Sequence, residues 1–151
     1  MAITSAVCNS FKQELLQGYH SFNASGDTPA GNAFKLALYT SSATINKSTT
    51  AYSATNEISN TSGSAYSAGG IALTNVTPTL DSDTAICDFS NVSWSSASFT
   101  ANGCLIYDDS TVTGMTTDAA VCTIAFGGDK TVTSGTFTIE FPAAAASTAI
   151  I

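Results

Sequence analysis

Arginine is absent from this chain, and lysine occurs only four times against eleven acidic residues, giving a formal net charge of −7. Phosphate recognition needs a basic stripe or bidentate guanidinium forks, and four scattered lysines supply neither, so nucleic acid is excluded as a partner. An anionic membrane surface is excluded for the same reason. No apolar run approaches the roughly 18 residues of a spanning helix. The start, Met1 to Val7, has neither the basic beginning nor the apolar core of a signal peptide, so folding in a cytoplasm is expected. Only one histidine, His20, is present. The four cysteines (Cys8, Cys87, Cys104, Cys122) form no C-x-x-C pair and have no second histidine with which to build a zinc site. They are expected to be free thiols acting as small hydrophobes, and neither a metal nor a cofactor is expected.

Serine and threonine fill the space left by charge. Of 151 residues, 23 are Thr and 21 are Ser, while charged residues reach only 10%. An average soluble domain carries about one quarter. Solubility therefore comes from hydroxyls, which suits a β-rich extracellular or virion protein. Five Asn-x-Ser/Thr sequons (Asn23, Asn46, Asn60, Asn75, Asn91) follow from that abundance.

One domain of two parts is expected, a helical segment over 1–22 and a β-sandwich over 23–151. In the first, Val7, Phe11, Leu15 and Phe22 share a helical face, Thr4 or Ser5 can cap the start, and Gly18 lies near the end. This spacing predicts about three to four turns of helix. The stretch Asn23 to Asn32 consists of turn formers. From Ala33 the period becomes two. Phe34, Leu36 and Leu38 alternate with Lys35, Ala37 and Tyr39 in a half-buried strand. The polar excursion Ser41 to Gly70 has Tyr52, Ile58 and Tyr66 as its large apolar anchors. Further strands are predicted over Ile71–Leu80, Ala85–Phe89, Val92–Ser95, Ser98–Tyr107, Ala119–Phe126 and Gly135–Pro142. Turns are predicted at Asp81-Ser82-Asp83, Asp108-Asp109-Ser110 and Gly127 to Lys130. The Gly127-Gly128 pair suits a bulge equally well. This pattern predicts a mainly β fold, an antiparallel sandwich or jelly roll with one N-terminal α-helix. The Ala-rich tail from Ala143 to Ile151 suits either a last edge strand or an arm that docks on a neighbouring subunit.

Catalytic signals are missing. His20 stands at the predicted helix end, where it favours the negative pole of the dipole. No Gly-x-Ser-x-Gly elbow occurs. The pairs Asp81/Asp83 and Asp108/Asp109 lie in turns, where Asp ordinarily bonds its own backbone, and neither sits in a calcium-loop pattern. Tyr39, Tyr52, Tyr66 and Tyr107 alternate with core positions and are expected to pack. No enzyme is expected.

Several segments taken together resemble a family of small structural proteins of tailed bacteriophages. These are Phe34 to Thr44, Thr50 to Ile58, Tyr66 to Gly70, Val92-Ser93-Trp94, Ser98 to Ala101, Phe126 to Lys130, and Gly135 to Ile139 with Phe141-Pro142. The likeness extends to the helical start, Cys8 to Lys12, although an Arg often stands in that family where this chain has Asn102. The resemblance implies a virion location and carries no catalytic residues. On this reading the protein is a capsid decoration (cement) protein, trimeric, binding the major capsid protein. Val7, Phe11, Leu15, Tyr52, Ile58, Tyr66, Ile150 and Ile151 are its candidate subunit-interface residues. The alternative is a tail or head fibre adaptor that attaches to host-surface carbohydrate through Tyr52, Tyr66 and neighbouring hydroxyls.

Overall fold

In the computed structural model, residues 2–59, 63–143 and 145 are described. Among these residues, seven strands and one helix follow in the order β1 (Ala6–Val7), α1 (Asn9–Leu16), β2 (Phe34–Tyr39), β3 (Ile71–Ala72), β4 (Asn75–Asp81), β5 (Thr84–Phe89), β6 (Val92–Asp108) and β7 (Ala119–Ile139). The fold is mainly β and antiparallel. Five strands form one sheet in the order β1-β7-β6-β2-β3, and β4-β5 form a separate hairpin. Phe89 of that hairpin packs on Phe34 of the sheet at 5.5 Å between ring centroids. The strands thus divide five and two, an arrangement consistent with the antiparallel β-sandwich expected from the sequence.

The helix is shorter than predicted, eight residues. Its expected first turn is taken by the sheet, because Ala6 and Val7 pair with Thr123 and Cys122. Thr4 and Ser5 therefore do not cap it. The Thr4 carbonyl accepts from Thr123 Oγ1 and Ser5 Oγ accepts from the Ala125 amide, while Cys8 stands at the N-cap without a side-chain capping bond, its thiol turned to Asn46 O. The end follows the sequence signal. Gly18 takes φ +78°, Gly18 N–H donates to Leu15 O and Tyr19 N–H to Glu14 O, a Schellman arrangement.

β2 was expected to bury one face and buries both. Ala37 and Tyr39 are as enclosed as Leu36 and Leu38, because the excursion after Ser41 returns alongside the strand. Ile58 N–H donates to Leu38 O, Thr40 N–H donates to Asn56 O, and Tyr39 bridges Glu57. At Gly70 the chain passes so close to β2 that a Cβ would lie 1.9 Å from Leu36 O. The predicted strand Ile71–Leu80 breaks at Leu73-Thr74 and leaves the sheet to pair with β5. Pro78 is tolerated because it falls in the register shift between Val76 and Thr79.

The largest difference concerns β6 and β7, predicted as four strands. Each runs on without reversing, and the irregularities become bulges. Ala101 pairs with Lys130 and Gly103 with Ala125, so Asn102 alone faces the stretch 126–129. Gly127 (φ +73°) and Gly128 (φ +140°) absorb the extra chain, as the bulge alternative required. Asn102 Nδ2 donates to Asp129 Oδ1 at 2.8 Å and closes the bulge. Beyond it, the hairpin continues as a two-stranded ribbon. Its apolar face carries Trp94 opposite Phe137, Val92 opposite Ile139 and Phe99 opposite Val132. Its other face carries hydroxyl pairs, Ser93 with Thr138 and Thr100 with Thr131.

Candidate functional site

His20, expected at the helix end beside the dipole's negative pole, lies four residues beyond the last helical residue, Leu16. It lies past the Schellman turn with its side chain fully enclosed, between carboxylates from two elements. Nδ1 is 2.8 Å from Asp108 Oδ2 at the end of β6, and Nε2 is 3.2 Å from Glu14 Oε2 on α1. Every outer oxygen has a further donor. Asn32 Nδ2 reaches Asp108 Oδ2 at 2.6 Å and Ser110 N–H reaches Oδ1 at 2.9 Å. Thr116 donates to Glu14 Oε1 from both its amide (2.9 Å) and its hydroxyl (2.6 Å). The Phe11 ring covers one side at 4.8 Å. Buried ionisable side chains of this kind persist only when paired and hydrogen-bonded. The group has the residue types of an acid–base relay, yet the imidazole is sealed from solvent. What the geometry accomplishes is to tie α1, the 19–33 segment, β6 and the 109–118 loop at one corner. Sequence spacing gave no warning of it, since His20 and Asp108 are 88 positions apart.

A second polar centre anchors the long excursion. Glu57 Oε1 accepts from Tyr66 OH (2.6 Å) and Gly69 N–H (2.8 Å), and Oε2 accepts from Tyr52 OH (2.6 Å). Tyr66 OH in turn accepts from Leu38 N–H at 2.9 Å, and Tyr52 stacks on Tyr107 at 4.8 Å. Burial, then the bond to Glu57 and its charge, push the Tyr52 hydroxyl up to about 12. The same causes, burial first, hold Tyr66 well above the ordinary tyrosine value. The available signal was that Glu57 is the sole acid between Asp27 and Asp81. Among the acid pairs, Asp108 turns to His20 and Asp109 to Lys35 (2.9 Å), so they do not converge. No cluster of three or more His, Cys, Asp or Glu side chains suited to a metal occurs among the described residues. The four cysteines are free. Burial pushes Cys8 up to about 11 and Cys87 and Cys122 up to about 12.

The candidate interface residues scatter. Phe11, Ile58 and Tyr66 are buried in the chain's own core and present no area to a partner. Val7 and Tyr52 are half-buried, Val7 within β1. Leu15 is 39% exposed, and its neighbour Leu16, not selected from the sequence, is 90% exposed. Ile150 and Ile151 lie outside the described residues. Tyr66 has no ring face free for a sugar, and Tyr107 covers one face of Tyr52.

The structure instead assembles apolar surface along β7. On the β6 side of the ribbon's apolar face Tyr66 packs on Trp94 (6.1 Å), which is buried, and on Phe99 (6.0 Å), which is half-buried. On the β7 side Phe126, Val132, Phe137 and Ile139 remain half-buried. A groove of about 410 Å³ runs over Cys104, Ile124, Phe126, Ile139 and Phe141, and a second of about 380 Å³ lies along Phe126, Phe137 and Ile139 with Lys130 at its rim. The strand periodicity placed Phe137 and Ile139 on one face, but that the Gly127-Gly128 irregularity would bring Phe126 beside them was not legible. No family model, curated protein or solved structure matches this chain.

Proposed function

We propose that the protein is a non-enzymatic structural protein of a phage virion, a capsid decoration protein that docks on the major capsid shell as a homo-oligomer, with a trimer favoured. The observation that carries this is the half-covered apolar strip on β7 beside an otherwise hydroxyl-lined ribbon. Aromatic and aliphatic side chains left half-buried around grooves are what protein–protein contact requires, and contiguous apolar patches are costly to leave in water. Burial contributes about 25 cal/mol per Å² of apolar surface, and binding only the assembled shell stabilises that shell by mass action. The low charge fits, because little of such an interface is screened by salt. The enclosed state of His20 and the structural use of Asp108, Asp109 and Glu57 support a non-catalytic role.

The test is assembly. Purified heads should carry many copies of the protein, and heads lacking it should melt at lower temperature. Phe137→Asp should fold and fail to bind heads. Heads that carry no copies, or a Phe137→Asp protein that decorates them as well as the parent, would refute the proposal.

A further inference from the structure

The excursion after β2 is more ordered than a connector requires. Its first half closes on itself through Ser48 N–H to Asn46 Oδ1 (2.8 Å), Asn46 N–H to Thr49 Oγ1 (3.0 Å) and Asn56 Nδ2 to Ser42 O (3.2 Å). Ala43 and Ile45 plug it into the core, and Ala51 bridges Ala119 of β7. The coil so fixed surrounds an open basin of about 530 Å³. That lies within the size range of small-ligand sites, roughly 300–1,000 Å³.

The chemistry of the lining is selective. Among the described residues, no Lys, Asp, Glu or His contributes to it. Its one ionisable group, Tyr39, donates its hydroxyl to Ser53 O at 2.7 Å. Ser42, Thr44, Ser48 and Thr50 bring exposed hydroxyls to the basin. Asn46, whose Oδ1 is taken by Ser48, has its amide N–H groups for another acceptor. A carboxylate, phosphate or ammonium ligand would find no counter-charge here. Hydroxyls that both donate and accept match a ligand that does the same, a row of neighbouring alcohols. We infer that the basin is a binding site for a short neutral saccharide. The coil is ordered before binding, so little loop entropy opposes the contact. No aromatic face lies open in the basin, so the affinity is weak, with a dissociation constant of about 1 mM. The site shares no residue with the β7 strip, so it stands or falls independently of the assembly proposal.

The experiment is a titration of ¹⁵N-labelled protein with glucose, galactose and N-acetylglucosamine into the tens of millimolar, with glycerol as the non-specific control. At least one sugar should give saturable amide shifts confined to residues 42–56, and glycerol should give none that saturate. The double variant Thr44→Val, Thr50→Val should raise the half-saturation concentration about tenfold, with the rest of the spectrum unmoved; Ser48→Ala serves if that variant misfolds. Shifts that stay linear for all three sugars, or saturable shifts that the variants leave unchanged, overturn the inference.

Discussion

The two halves of the β6–β7 hairpin use the same alternation of residues to different ends. From Gly103 to Asp108, and from Ala119 to Thr123, nearly every side chain is buried, because β1 and β2 flank the pair and loops cover both faces. From Val92 to Ala101, and from Lys130 to Ile139, the same two strands have, among the described residues, only each other as sheet partners. An isolated two-stranded ribbon is marginal in water. Here its β6 side is held by Tyr66 and its β7 side is left half-covered. Stability is concentrated in the inner half and available surface in the outer half, and the bulge at 126–129 divides them.

The sharpest way to break this contrast is to remove packing from each half in turn. His20→Leu leaves Glu14 and Asp108 buried without their shared partner, and a loss of about 3–5 kcal/mol is expected from urea unfolding. Phe34→Ala, in the ring cluster with Phe22 and Phe89, should cost a similar amount, about 3–5 kcal/mol. Phe137→Ala removes a half-exposed ring and should cost about 1–2 kcal/mol. Equal losses for Phe34→Ala and Phe137→Ala would mean that the outer ribbon belongs to the core, and the contrast would collapse. A smaller effect belongs to the joint itself. Gly128→Val places a β-branched residue at φ +140° with open space around it, so the expected cost of about 1–3 kcal/mol is backbone strain and not a clash. Amide exchange in the variant should quicken from Lys130 outward and stay unchanged in Ala119–Thr123.

How much of this was visible in the residues depends on the range of the interaction concerned. The alternation Phe137, Ile139, Phe141 and the run Ala85–Phe89 specify strands because each residue's face follows from its neighbours. Gly18 ends the helix for an equally local reason. Gly127-Gly128 announces positive φ, but a turn and a bulge both need that. Only the pairing of both flanks with β6 decides between them, and that pairing is not local. The helix start was lost to the same cause, since β7 recruits Ala6 and Val7 before the helical spacing can act. His20 and Glu57 are the extreme cases. Their roles depend on partners up to 88 positions away, brought together by folding and marked in the sequence only by scarcity, a single histidine and the sole acid between Asp27 and Asp81.

Tyr66 offers the gentlest probe of the contrast, because it touches both halves. Its hydroxyl lies between Glu57 and Leu38 N–H in the inner sheet, while its ring packs against Trp94 and Phe99 in the outer ribbon. Burial and the Glu57 carboxylate hold its proton on, and the same forces push Tyr52 up to about 12. In the unfolded chain both titrate near pH 10. A tyrosine whose folded value is raised contributes stability that is fully present below about pH 10 and declines as the pH climbs toward the folded value. The urea midpoint should therefore be level up to about pH 10 and fall steadily above it. Trp94 fluorescence should change before the far-ultraviolet signal of the sheet, because the ribbon loses its cover first. Glu57→Gln removes the charge but keeps an acceptor, so it should shift tyrosine ionisation to lower pH. A midpoint unchanged well above pH 10 would show that folding does not hold these protons on, and a coincident loss of both signals would show that the two halves unfold as one body.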